Sequence, residues 1–290
     1  MIEKFQPLEK YVRKSSKAWK FFAVLFPIIG TCAMAQGPGG LTGFFQAWWG
    51  TQRFDPTGIN GLVAWYDASD ATTISVQAAT TNVTQWADKS TNAVNLTVPS
   101  TVYPKYVATS QNGLGGISFS GASNDRLQFT NSNIFANKQY AYVFAVAKHS
   151  ANQNYATIYG ARFEPQLLNI YARSSQLFEA GGRRLPSDSY QGVNLSWPSN
   201  QTAVVSGFFQ WSDAALTAGV NNTATNRSGG FQAAGNSSTN LSAISVGANS
   251  NNTEPYRGLI YEIIAYDRKL SDSEITQVKS YLYAKWGITL

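Results

Sequence analysis

The sequence predicts an all-β fold: a two-sheet antiparallel jelly-roll sandwich with one C-terminal helix, preceded by an N-terminal apolar segment. Three observations predict it. Short apolar runs recur from Leu62 onward, separated by turn-forming Gly, Asn, Ser and Thr, which is the spacing of a sandwich or barrel. Neither a second apolar core nor an internal repeat interrupts the series. After the last run the apolar period changes once from strand-like to helical, and the helix it describes carries its own start and stop signals.

Taken in order, the chain begins with a head, residues 1–35. Lys4, Lys10, Arg13, Lys14, Lys17 and Lys20 precede the apolar run FFAVLFPIIGTCAMA that starts at Phe21. A basic region, an apolar core and the small residues Ala33 and Ala35 before Gln36 match a secretory signal, which implies a secreted or cell-surface protein. The basic region is long and holds Glu3 and Glu9, and no charge falls between Lys20 and Arg53, so residues 21–35 also read as a retained anchor in contact with a membrane. Pro27 and Gly30 argue against a buried core helix. Residues 36–53, QGPGGLTGFFQAWWGTQR, are a Gly- and aromatic-rich connector without a clear period.

The domain proper is expected over residues 54–290. Its strand candidates are residues 62–66, 117–119, 140–147, 156–159, 167–171, 203–209, 214–220, 244–246 and 259–266. In the run from Tyr140 to Ala147 both alternating sets are apolar, which places that strand centrally and covered on both faces. The run LIYEIIAY from Leu259 has the same character, with Glu262 as its single charge. The segments NNTATNRSGG and GNSSTN read as surface loops. Ser271 lies three residues before Glu274, a capping box, and Asp272 adds negative charge to the first turn. Ile275, Val278, Leu282 and Trp286 then recur at helical spacing and Gly287 supplies the stop.

Composition removes several classes of function. The single Cys32 leaves no intrachain disulfide and no thiolate cluster, and the lone His149 leaves no multi-histidine metal site. The net charge of +6 belongs to the head: six Lys/Arg against two acids in residues 1–35 give +4, and sixteen against fourteen in the rest give +2. A nearly neutral body, poor in charge and rich in Asn, Ser, Thr and Gln, is not the basic face that a nucleic-acid partner requires.

Five segments carry a family resemblance: GLVAWYDASDATTI from Gly61, VTQWADKSTNAVNLT from Val83, NGLGGISFSGASNDRLQF from Asn112, AISVGA from Ala243, and RGLIYEIIAYDRKLSDSEITQVKSYLYAKWGI from Arg257. Together they resemble the concanavalin A-like lectin/glucanase superfamily, and more closely the laminin-G-like modules of bacterial surface proteins and of phage and other viral structural proteins. The resemblance spans about residues 54–290 and implies a jelly roll, not a particular ligand.

The glucanases of that superfamily place their carboxylates in an E-x-D-x-x-E strand, which is absent here. After residue 35 the chain has five Glu and nine Asp, and the only Glu within two positions of another acid is Glu274, already committed to capping. A retaining glycosidase needs two carboxyl groups about 5 Å apart, so such an activity would require acids from different strands to meet. His149, at a strand end, has no sequence neighbour that suggests a nucleophilic triad.

The candidate ligand-binding residues are therefore in loops. Asp88, Asn92 and Asn95 lie in a W-x-D-x-S-x-N segment, where side-chain and backbone oxygens would suit either a calcium ion at Asp88 or an Asx-locked turn. Calcium is the one cofactor the sequence raises. Asn124 and Asp125, within Ser123 to Arg126, form a polar loop that reads as a sugar-binding edge or a hairpin turn. Trp197 and Trp211 offer indole faces for stacking on a pyranose, or bulk for the core, and Arg183-Arg184 reads as a loop tip for an anionic glycan or as a solvated turn.

The expectation that follows is a non-catalytic, surface-displayed lectin-like module that binds a glycan or cell-surface polysaccharide, with multivalent display compensating for weak single sites. The alternative is a structural protein on a virion exterior, decorating a capsid or forming a spike, joined through residues 1–35 to other virion or envelope proteins.

Overall fold

A computed structural model describes residues 54–150, 154–162 and 166–289. The basic head, the apolar segment 21–35 and the connector 36–53 lie outside the described residues. Among the described residues the strands are β1 (Leu62–Asp67), β2 (Ile74–Val76), β3 (Val83–Trp86), β4 (Leu96–Thr97), β5 (Lys105–Val107), β6 (Gly116–Ser120), β7 (Leu127–Ser132), β8 (Tyr140–His149) and β9 (Ala156–Arg162). They continue with β10 (Gln166–Ser174), β11 (Leu177–Gly182), β12 (Gln191–Ser196), β13 (Thr202–Gln210), β14 (Ala215–Val220), β15 (Thr223–Ser228), β16 (Ser242–Val246) and β17 (Arg257–Tyr266), followed by helix α1 (Asp272–Trp286). All pairings are antiparallel.

One sheet runs β15-β14-β13-β8-β17-β6-β5, with β1 also paired to β17; the other runs β12-β11-β10-β9-β16-β7-β4-β3-β2. The expected two-sheet sandwich is thus the observed one. The alternation in β8 shows how sequence divides the layers. Ala141, Val143, Ala145 and Ala147 point between the sheets, whereas Tyr142, Phe144 and Val146 join a second apolar layer with Val278, Leu282 and Trp286 of α1. The strand is central and covered on both faces because two separate layers need its two sides.

Helix α1 lies on the outer face of the β8/β17 sheet. Ser271 Oγ accepts from the Glu274 amide while the Glu274 carboxylate accepts from the Ser271 amide, so the capping box is complete. At the other end Gly287 takes the left-handed conformation (φ 62°), and Gln111 Nε2 and Asn112 Nδ2 donate to the carbonyls of Trp286 and Lys285, each at 2.9 Å. The last helical carbonyls are satisfied by a loop some 170 residues earlier in the chain.

Two sequence readings need correction. The segment NNTATNRSGG is not only a loop: Thr223–Ser228 forms edge strand β15, held to β14 from Val220↔Thr223 to Ala215↔Ser228. Its polar residues suit an edge, where one face and one rim stay wet, and that composition concealed the strand. Likewise β2 to β5, β7, β11 and β12 are short or polar and leave no apolar run to read.

Candidate functional site

Glu262, the one acid in the last strand, organises a buried polar cluster. A register shift between Ile260 and Glu262 lets Tyr261 and Glu262 both face the helix. Oε1 accepts from Trp65 Nε1 and the Tyr281 hydroxyl, both at 2.8 Å; Oε2 accepts from Trp286 Nε1 at 2.7 Å and Lys285 Nζ at 2.8 Å. Lys285 Nζ also reaches Asp67 Oδ1 at 2.7 Å, and Asp67 pairs directly with Glu262 across β1 and β17.

Two carboxylates from different strands therefore do meet, which is the arrangement a glycosidase would require. Their surroundings oppose that use. An ammonium stands on both carboxylates, and Glu262 is wholly inaccessible. Burial raises the Glu262 pKa; for Asp67 burial also pushes upward, but Lys285 and Lys89 outweigh it and lower the pKa. The cluster pins the helix to the sheet.

Another acid, Glu179, lies buried on the outer face of the other sheet. It accepts from the Tyr190 hydroxyl at 2.7 Å and pairs with Arg173. Burial raises the Tyr190 pKa well above the ordinary tyrosine value, the opposite of what a phenolate nucleophile needs. His149 is also buried. Its Nδ1 and Nε2 each lie 3.1 Å from a carbonyl oxygen, of Ser150 and Trp197, and no described carboxylate orients it. Burial lowers its pKa.

The residues singled out from the sequence separate into two places. Asp88 Oδ1 accepts from the Trp65 and Ser90 amides at 2.9 and 2.8 Å, and Oδ2 from Ser90 Oγ and the Val94 amide at 2.7 and 3.0 Å. Asn95 Oδ1 accepts from the Asp88 amide, and Asn92 Nδ2 donates to the Val63 carbonyl. This is the Asx-locked turn, tying the loop to β1. Four N–H and O–H donors occupy the oxygens that a calcium ion would use, and among the described residues no group of three His, Cys, Asp or Glu side chains is placed to hold a metal.

Asp125 is placed differently. Oδ2 accepts from the Ser120 amide and hydroxyl, both at 2.5 Å, while Oδ1 is buried and has no partner. The residue is 2% exposed and burial raises its pKa. It lines a cleft of about 380 Å³ together with Asn82, Thr101, Val102, Tyr103, Lys105, Ser118 and Ser120. None of Asp88, Asn92, Asn95 or Asn124 lines it. Asn124, in the left-handed region, instead donates its amide to Asn252 Oδ1 and accepts from Ser100 Oγ through its carbonyl.

The cleft forms where the two sheets end side by side. Asn82 bridges to Lys105, with the Val83 amide donating to the Pro104 carbonyl and the Tyr106 amide to the Thr81 carbonyl, and Lys105 Nζ contacts Asn82 Oδ1. Its chemistry is a row of hydroxyls, an amide and an ammonium around an unsatisfied carboxylate oxygen. No local sequence signal marks Asn82, Lys105 or Ser118, because the pairing of distant segments brings them together. Trp197 and Trp211, by contrast, are buried in the inter-sheet core, although Trp197 also borders a second cleft of about 250 Å³. Arg183 reaches the Asp188 carbonyl within its own loop and Arg184 the Asn236 carbonyl of a separate loop, both at 3.3 Å.

No family model matches the chain, and no curated protein matches it in sequence. Solved structures do match its fold. Trypanosoma rangeli sialidase in complex with sialic acid aligns with a TM-score of 0.52 at 15% identity, covering 78% of this chain and 33% of that one. The binding domain of Paraclostridial Mosquitocidal Protein 1 aligns at 0.54 and 14%, covering 77% and 53%, and the botulinum neurotoxin serotype G binding domain at 0.57 and 10%, covering 78% and 54%. The chain thus spans about a third to a half of these proteins. What it shares with them is an all-β sandwich fold of the kind related to jelly-roll, lectin-like folds.

Proposed function

We propose that this chain is a non-catalytic, lectin-like module that binds carbohydrate through the cleft at Asp125, displayed in many copies on an exterior surface. The observation that carries the reading is Asp125 Oδ1: a buried acceptor without a donor, beside Ser118, Ser120, Lys105 and Asn82. Leaving such an atom unpaired costs about 1–3 kcal/mol, which a ligand hydroxyl would recover. A vicinal diol suits the site, one hydroxyl donating to Asp125 and the next accepting from Lys105. The five-motif resemblance to laminin-G-like modules supports the same reading, as do neighbours described as binding domains and one holding sialic acid. The Asp67–Glu262 pair held by Lys285 and the Tyr190 hydroxyl held on Glu179 support a role without catalysis.

A shallow polar site competes with water for every hydroxyl, so a single module should bind at about −4 to −6 kcal/mol and depend on avidity. The test is a glycan array probed with the full chain, monomeric and multimerised. Binding by the multimer that falls at least about tenfold in a folded Asp125→Ala or Lys105→Ala variant supports the cleft. A folded multimer that binds no glycan sinks the reading and leaves the virion-structural alternative.

A further inference from the structure

The cleft explains Asp125 but not its neighbour. Arg126 is 8% exposed, yet its guanidinium meets only neutral oxygens: Nε donates to Gln128 Oε1 at 3.1 Å, Nη1 to Asn252 Oδ1 at 2.7 Å and Asn124 Oδ1 at 3.4 Å, and Nη2 to the Ser250 carbonyl at 3.4 Å. It makes no ion pair among the described residues. Asp125 turns its carboxylate to Ser120, and Glu254 accepts from Thr157 Oγ1. Burial alone lowers the Arg126 pKa, with no acid opposing the shift.

A buried cation without a counter-charge is expensive, and proteins normally pair it. Structural anchoring of the 249–253 loop would need only a neutral donor here. An arginine adds a fixed charge and a planar fork, and Nη2, held only by one long contact, keeps donor capacity to spare. The groups above it, Asn124, Gln128, Ser250 and Asn252, are half-exposed, and the loop tip at Asn251 is open to solvent, so small side-chain movements would uncover the fork. A carboxylate, which accepts two parallel N–H bonds, fits the Nη1–Nη2 edge best, taking the place of the two long 3.4 Å contacts to Asn124 and Ser250.

Resting on the sugar-binding reading above, we propose that Arg126 anchors a carboxylate of the bound glycan, so that the ligand is an acidic sugar whose hydroxyls reach toward Asp125. The side of the loop bearing Arg126 selects charge, and the side bearing Asp125 reads hydroxyls.

The experiment compares immobilised oligogalacturonate and sialyl-lactose, each beside its methyl ester, with the multimerised full chain at low and raised salt. Tighter binding to at least one acid than to its ester, by about tenfold or more and weakening with salt, is expected. Folded Arg126→Gln should lose that preference while keeping whatever ester binding exists, and Arg126→Lys should keep part of it. Equal binding of acid and ester overturns this inference and leaves carbohydrate binding standing. So does a preference that persists in folded Arg126→Gln, or binding confined to neutral glycans. Failure of every glycan on the array overturns both. If Arg126→Gln does not fold, the wild-type comparison of acid with ester decides alone.

Discussion

Glu262 and Trp286 join the last strand to the last turn of the helix: the indole Nε1 donates to Glu262 Oε2 at 2.7 Å with both residues fully buried. The carboxylate also takes Trp65, Tyr281 and Lys285, so one side chain closes the N–H and O–H donors of strand β1 and helix α1 over a sheet.

Replacing Glu262 by Gln should therefore cost about 3–5 kcal/mol, because it breaks a buried ion pair and leaves four converging donors with one neutral acceptor. Urea unfolding followed by tryptophan fluorescence measures it. A loss under about 1 kcal/mol would show that packing of Val278, Leu282 and Trp286 holds the helix unaided.

The capping box gives a smaller effect. Ser271→Ala removes the acceptor for the Glu274 amide and should destabilise by about 1 kcal/mol. The Arg268 ion pair, first, and the Ser271 amide lower the Glu274 pKa to about 2. That contribution is present above the unfolded glutamate range and lost as pH falls through about 2; the Ser271 hydroxyl supplies part of it by donating to Glu274 Oε2 at 3.1 Å, so the Ser271→Ala difference should shrink in acid. An unchanged difference between neutral pH and strong acid would refute the coupling.

Asp125 has the opposite sign. Burial raises its folded pKa, so stability is greatest below the unfolded aspartate pKa of about 4 and declines as pH rises through the folded value. Asp125→Asn keeps an oxygen for Ser120 and removes the titration. The variant should gain on the wild type as pH rises from about 4 to 7 in thermal melts; parallel curves would mean the carboxyl is solvated through the cleft.

Gly181 leaves room for the Tyr190 hydroxyl: a Cβ there would lie 1.9 Å from that oxygen and 2.9 Å from the Gln191 carbonyl. Gly181→Ala should push Tyr190 off Glu179 and cost about 1–3 kcal/mol. Adding Tyr190→Phe, which deletes the clashing oxygen, should recover part of that loss; a double variant no more stable than Gly181→Ala would place the clash on the backbone instead.

The sequence by itself determined the fold class, the central strands and the helix with both its ends. Apolar runs such as Tyr140 to Ala147, the Ser271-x-x-Glu274 box and Gly287 are local signals, and local preference and global packing agree there. It also marked Asp125, within a loop rich in Asn and Ser. Only the tertiary structure decided what these residues do. Asp88 and Asp125 look alike as loop aspartates, but four donors fold onto one and leave an oxygen of the other bare. The bridge from Asn82 to Lys105 joins segments 23 residues apart in the chain. The burial of Glu262, Arg126 and Trp197 likewise follows from which surfaces meet. Backbone periodicity is written residue by residue, whereas burial and the satisfaction of polar atoms belong to pairs of surfaces that exist only once the sheets have closed.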